Sequence, residues 1–360
     1  MRKRIALDAL MLDSTKAGVG NYQLNLIENL KGMPFYFDVF TSEDSPLESE
    51  GAVNVIKLKK FSSSKDRLLF QLFGFADILN KGNYNLVHFL DYMTPVKKLN
   101  TPHITTVHDI SFRVSPQYFT KKTALFKQAN LPRALKKSAG IITVSEFTKS
   151  EILKEYPKTD KSKIDAVNLG INSPSEKIEQ FDIKKPYILF VGTVEPRKNI
   201  LMLIKAMESV WEKGFEPNLV IAGKFGWLYE ETVSYAKNSR FAEKIIFTDY
   251  VSDGELEYLY KNAELFAYPS LYEGFGLPPL EAMRRGKVVI STPFASLPEV
   301  LEDAAYYAEN QDEFAESIIK IISDDNLKKE YESRALCHAD KKTWLKTAEN
   351  TCMVYEKRSK

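Results

Sequence analysis

The stretch Tyr268-Pro269-Ser270-Leu271-Tyr272-Glu273-Gly274-Phe275-Gly276-Leu277-Pro278-Pro279-Leu280-Glu281-Ala282-Met283 carries an apolar run through a glycine-containing loop into a helical pattern. Pro278 and Pro279 fall in the first helical turn, where missing amide donors do least harm. The amides of Gly274, Phe275, Gly276 and Leu277 then stay available to an anion, and the helix dipole favours negative charge at that end. Phosphate is the obvious candidate. Glu273 and Glu281 bracket the loop. A carboxylate cannot hold phosphate by charge, but it accepts strongly from the vicinal hydroxyls of a sugar. This chemistry gives Glu281 the hydroxyls of a ribose and Glu273 a transferred sugar. A helix-start Glu favoured by the dipole, beside a solvated loop Glu, is the other reading of the same spacing.

A second segment, Val191-Gly192-Thr193-Val194-Glu195-Pro196-Arg197-Lys198-Asn199, reads as a strand end, a turn and a helix start. Lys198 is placed there to neutralise a diphosphate leaving group, whose charge grows in the transition state. The alternative, solvated cations in a first helical turn, puts positive charge where the dipole disfavours it. His108 and Asp109 end the apolar run that begins at His103, where open parallel sheets present side chains to ligands. On its own a His in that place is more often packed or bonded to backbone, and Asp109 can orient it. Gly18 and Gly20, in Lys16-Ala17-Gly18-Val19-Gly20-Asn21-Tyr22, precede a helical stretch and let backbone approach a ligand closely. The third glycine of the dinucleotide fingerprint is absent, which argues against NAD.

These groups need a scaffold, and the pattern supplies one. Apolar runs at 85–90, 103–108 and 140–144 alternate with helical periodicity, as parallel strands with crossover helices do; an earlier run over 5–12 is interrupted by Asp8. Residues 168–186 turn polar and rich in Gly, Asn, Ser and Pro, which marks a linker. The same grammar restarts at 187–192, with a helix over 200–213 and further strands at 218–223, 244–247, 264–268 and 287–291. A chain of 360 residues exceeds the size at which one core keeps growing, so two doubly wound α/β domains are expected.

The Glu, seven residues, Glu arrangement around Gly-Phe-Gly-Leu-Pro resembles the signature of glycosyltransferase family 4, and the similarity covers nearly the whole chain. The resemblance implies a GT-B fold, two facing Rossmann-like domains with the nucleotide sugar in a central cleft, and transfer with retention of anomeric configuration. It implies no cofactor and no bound metal, and the chain contains no Asp-x-Asp metal motif. By the same resemblance His108 contacts the donor sugar, Gly18 and Gly20 lie below the donor diphosphate, and Gly223 and Val251 belong to loops near the base and ribose. Many relatives carry Arg where this chain has Thr193, so Arg197 is expected to supply the second cation from a shifted position. The C-terminal segment around Trp344 and Tyr355 is expected to cross back to the first domain. The domains are therefore 1–172 plus 343–360, on the acceptor side, and 173–342, on the nucleotide-sugar side.

Within the family the chain most resembles bacterial enzymes of cell-surface polysaccharide synthesis, often mannosyltransferases using GDP-mannose, with a UDP-hexose as the rival donor. The partners implied are a nucleotide diphosphate sugar and a glycan or lipid-pyrophosphate acceptor. Two other classes remain open: a nucleotide-sugar epimerase, which would release an isomerised sugar without an acceptor, and a catalytically silent binding subunit.

The formal net charge of +2 conceals an uneven distribution, because the basic residues between 57 and 137 far outnumber Asp66, Asp77, Asp91 and Asp109. Interleaved with Leu68-Leu69-Phe70 and Leu72-Phe73, this face fits an anionic membrane surface, and a solvated basic face is the competing reading. No recognition motif accompanies the charge, so nucleic acid is the poorer partner. Cys337 and Cys352 are too few for a disulfide framework, and no apolar stretch is long enough to span a bilayer. A cytoplasmic enzyme, peripheral on the membrane's inner face, is the expectation.

Overall fold

A computed structural model describes residues 2–12 and 18–359. The chain divides into two compact units: Met1–Pro116, Lys121–Gly170 and Thr343–Lys360 form one, Gln117–Thr120 and Ile171–Lys342 the other. The first unit contains β1 (Arg4–Asp8), β2 (Tyr36–Thr41), β3 (Val53–Lys57), β4 (Leu86–Phe89), β5 (His103–Val107), β6 (Gly140–Thr143) and β7 (Ile164–Ala166), in the spatial order β3-β2-β1-β4-β5-β6-β7. The second contains β8 (Tyr187–Val191), β9 (Asn218–Ala222), β10 (Ile245–Asp249), β11 (Leu265–Tyr268), β12 (Val289–Ser291) and β13 (Tyr306–Tyr307), ordered β10-β9-β8-β11-β12-β13. The strand pairs within both sheets are parallel.

Crossover helices cover both faces of such sheets, and the strands accordingly read as continuous apolar runs. Every residue of β4, β6, β9 and β11 is buried. In each unit the first strand lies between the second and the fourth. The order of strand addition therefore reverses beside β1 and β4, and again beside β8 and β11, which is where open α/β sheets present their ligand crevices.

The apolar run over 5–12 does not continue as a strand. It ends at Asp8, whose Oδ1 accepts from the Leu10 amide at 3.1 Å and turns the chain. β2, β3, β7 and β13 lie outside the strands expected from periodicity. In β2 the apolar pattern is broken by Asp38, a buried carboxylate satisfied by Asn54 at 2.9 Å, Tyr84 at 3.0 Å and Arg4 at 2.6 Å. β13 has two residues, too few for any period.

The helix Trp344–Arg358 belongs to the first unit and packs on the helix Gly18–Leu30, so the C-terminus returns as the family resemblance implies. Thr343 caps its start by accepting from the Lys346 amide. Tyr355, fully buried, packs its ring against the edge of Phe35 and bonds through its hydroxyl to His88 Nδ1 at 2.7 Å. Among the described residues no helix is long and apolar enough to cross a membrane.

Candidate active site

In the second unit, β11 delivers Tyr268 to the crevice, its ring stacked on Phe190 at 5.7 Å. Beyond it the loop to Gly276 is pinned from three sides. The Leu271 amide donates to the Arg197 carbonyl at 2.9 Å, and the Thr292 hydroxyl donates to the Ser270 carbonyl. The buried Ser296 hydroxyl lies 3.0 Å from the Glu273 carbonyl and 3.1 Å from that of Phe275. Gly276 then enters the helix Leu277–Arg284 with φ 98°, a left-handed conformation that favours glycine, and an added Cβ would lie 2.8 Å from Leu297. Pro278 and Pro279 occupy the first turn, as the sequence pattern requires.

The pinned loop fixes Glu273 in a buried charge network. Its Oε1 accepts from Lys198 Nζ at 2.6 Å, Ser270 Oγ at 2.6 Å and the Tyr268 hydroxyl at 2.9 Å. Its Oε2 accepts from Arg197 Nη1 at 3.0 Å. Burial pushes the Glu273 carboxyl up, but Arg197, Lys198 and Ser270 outweigh it and hold the group at about 2. Burial pulls Lys198 down against the opposing pull of Glu273, and its Nζ donates a second bond to the Tyr268 hydroxyl at 2.7 Å. Arg197 is committed within the unit as well: Nη2 reaches Glu195 at 2.6 Å and Nη1 also donates to the Tyr272 carbonyl. Glu281 sits one turn into the helix, where Tyr260 donates to it at 3.0 Å; burial raises its carboxyl and Arg285 opposes the rise.

In the first unit, His108 follows β5 and bonds through Nε2 to the Leu90 carbonyl at 3.0 Å. A carbonyl only accepts, so that nitrogen carries the proton. The ring meets the edge of Tyr22 at 4.8 Å, and the Tyr22 hydroxyl is 3.1 Å from Thr106. This brings the helix Gly18–Leu30 against His108. Gly18 and Gly20 lie within its first turn rather than in a loop before it, while Lys16 and Ala17 fall outside the described residues. The Asp109 carboxylate accepts from the Ser111 amide at 2.9 Å and from the Ser111 hydroxyl, closing the turn after β5. The Leu90 carbonyl and the Tyr22 ring both orient His108. Two further acids stand at this crevice. Asp8 is raised to about 7 by burial, against bonds from Leu10 and Gln71, and Asp91 is raised by burial against the pull of His108.

Two family models match in tandem, one described as Glycosyltransferase Family 4 over residues 17–173 and one as Glycosyl transferases group 1 over 173–336. The chain is 33% identical over 290 residues to O-antigen chain mannosyltransferase B of Escherichia coli, covering 74% of this chain and 75% of that one. The chain belongs to glycosyltransferase family 4. It is also 31% identical over 246 residues to O-antigen chain mannosyltransferase RfbU of Salmonella typhimurium, covering 68% and 67% of the two. Sucrose-phosphate synthase from Thermosynechococcus elongatus superposes with a TM-score of 0.78 at 19% identity over 99% of each chain, a likeness of fold. The fold is GT-B.

In this family 4 protein the other residues singled out from sequence surround the β8–β9 end of the second unit. Thr193 is exposed. Gly223, with φ 145°, lets β9 pass against the β8 turn, where an added Cβ would sit 2.2 Å from the Gly192 carbonyl oxygen. The Val194 amide donates to the Lys224 carbonyl and the Gly226 amide to that of Val194, joining the two loops. Val251 precedes Ser252, which caps the helix Asp253–Asn262 in a reciprocal box with Glu255. Of the basic face in the first unit, Lys57, Lys59 and Lys97 are paired with Glu48, Asp66 and Asp77. Leu69 and Phe73 are exposed there, whereas Leu72 is buried. Sequence reasoning quoted Tyr268, Ser270 and Glu195 without giving them roles. The one available signal is spacing: Ser270 stands three before Glu273, and Glu195 two before Arg197.

Proposed function

We propose that the protein transfers a hexose, mannose from GDP-mannose, with retention and without a metal, to a glycan or lipid-linked acceptor in cell-surface polysaccharide synthesis. The observation that carries the reading is the convergence of Lys198 and Arg197 on Glu273 beside the Gly276 helix start, cations and sugar-hydroxyl acceptor in one crevice. Lys198 and the loop amides stabilise the departing diphosphate, the charge that grows as the glycosidic bond breaks. The Oε1 atom of Glu273 already has three donors, which leaves Oε2, bonded among the described residues to Arg197 alone, to accept from the sugar. The bond from anomeric carbon to phosphate oxygen breaks, the acceptor oxygen bonds on the same face, and its proton passes to the departing phosphate. Glu281 takes the ribose hydroxyls, and His108 keeps the sugar contact implied by the family resemblance. The names of the relatives, both O-antigen mannosyltransferases, favour mannose.

Thermal shift with GDP-mannose, GDP, UDP-glucose and UDP, followed by NMR of the product's anomeric proton, tests this. GDP-mannose should raise the melting temperature most and yield an α-linked product, because ligand bound to the native state stabilises it. Stabilisation by UDP-glucose alone moves the donor assignment. An inverted product, or loss of turnover on chelation, removes the proposed mechanism. Contact of the basic face with an anionic membrane is part of the same proposal, checked by sedimentation with vesicles with and without phosphatidylglycerol.

A further inference from the structure

Glu195 is 4% exposed and stands at the start of the short turn Pro196–Lys198, where a carboxylate would ordinarily cap the turn's free amides. Its side chain makes no such cap bond. Instead Oε1 takes Arg197 Nη2 at 2.6 Å, and the other arm of the same guanidinium takes Glu273 Oε2 at 3.0 Å. Glu195, Arg197, Lys198 and Glu273 are two acids and two bases with side chains between 2% and 14% exposed. Gathering four charges out of water is costly, and buried ion pairs are weak evidence of a stability role. The planar Arg fork, unlike an ammonium, spans two carboxylates at once and fixes both.

We propose that Glu195 is a positioning residue: through the Arg197 fork it aims the Glu273 carboxylate, and its charge keeps the empty crevice neutral so that bound diphosphate can be released. The inference rests on the transferase reading and assigns a residue that reading does not use. Without the Glu195 charge the crevice has one net positive charge. An anion then binds more tightly, while Glu273, held by a guanidinium whose Nη2 arm has lost its charged partner, serves the sugar less well. Affinity and turnover move in opposite directions, which loss of packing alone would not produce.

The experiment uses the full-length protein, wild type, Glu195→Gln and Glu195→Asp, with inorganic pyrophosphate, GDP and UDP titrated calorimetrically at two salt concentrations, and with kcat and KM measured on the donor that turns over. In Glu195→Gln, affinity for pyrophosphate and for the nucleoside diphosphate should rise about tenfold at low salt and less at high salt, while kcat falls about tenfold. Glu195→Asp, which retains the charge, should return affinity towards wild type. Arg197→Lys keeps the charge and loses the fork, so kcat should fall with diphosphate affinity near wild type. Anion affinity in Glu195→Gln that is unchanged or weaker, with a lower melting temperature, overturns the proposal and leaves a packing role. Should wild type bind pyrophosphate but transfer sugar from no nucleotide donor, the transferase reading fails while the pyrophosphate comparison still decides the role of Glu195.

Discussion

The crevice beside β1 and β4 and the crevice beside β8 and β11 hold the same place in two sheets of matching strand order, and they treat their acids in opposite ways. Beside β1 and β4, Asp8 and Asp91 are driven upward by burial, and the bonds they receive come mainly from amides. Beside β8 and β11, Glu273 is as deeply buried, yet two cations and two hydroxyls hold it at about 2. One scaffold thus raises an acid to about 7 in one unit and holds another at about 2 in the other. Strand order fixes where a ligand crevice opens; the neighbours of the acid fix what that crevice can do.

Four substitutions break or sharpen this contrast. The largest effect is expected from Lys198→Ala, which removes the cation bonded to both Glu273 and Tyr268: kcat should fall by about 10²–10³-fold, read in a steady-state transfer assay. Next is Glu273→Ala, which leaves Arg197 and Lys198 buried without their shared carboxylate. A stability loss of about 3–5 kcal/mol is expected in denaturant titration. A loss below about 1 kcal/mol would mean that the charges are far better solvated than their burial indicates.

Asp8→Asn probes the other crevice through pH. In the folded chain Asp8 is raised from 3.8 to about 7, so between those values the native state retains a proton that the unfolded state has lost. That contribution to stability is complete below 3.8 and declines as pH rises towards 7, by up to about 1.4 kcal/mol per pH unit. Relative to wild type, Asp8→Asn should therefore gain stability steadily from pH 4 to 7. A difference that is flat over this window would show that Asp8 is ionised throughout it. The smallest effect is expected from Tyr355→Phe, which removes one bond to the buried His88, a ring held neutral by burial at about 3. It should cost about 1 kcal/mol of stability and leave kcat unchanged.

Much of this was legible in the chain itself. The apolar runs over 187–192 and 218–223 sit on β8 and β9, and Gly276 with Pro278 and Pro279 announced the loop-to-helix entry. What local pattern could not reveal is who meets whom across the fold. Glu273 is 75 residues from Lys198 in sequence, and the Glu195–Arg197–Glu273 chain exists only because β8 pairs with β11. For Asp109 the pattern did not announce the local turn through Ser111, which takes one oxygen of its carboxylate. β2 escaped notice because its central Asp38 is satisfied by Asn54, Tyr84 and Arg4, residues distant in sequence.

The most direct test of the central claim is calorimetric titration of GDP and UDP into the wild-type protein, Lys198→Ala and Glu281→Ala. The charged crevice of the second unit should bind at least one of these nucleotides in the wild type, and both substitutions should weaken that binding by about tenfold or more. Binding of neither nucleotide to the wild type, or binding that both substitutions leave intact, would contradict it.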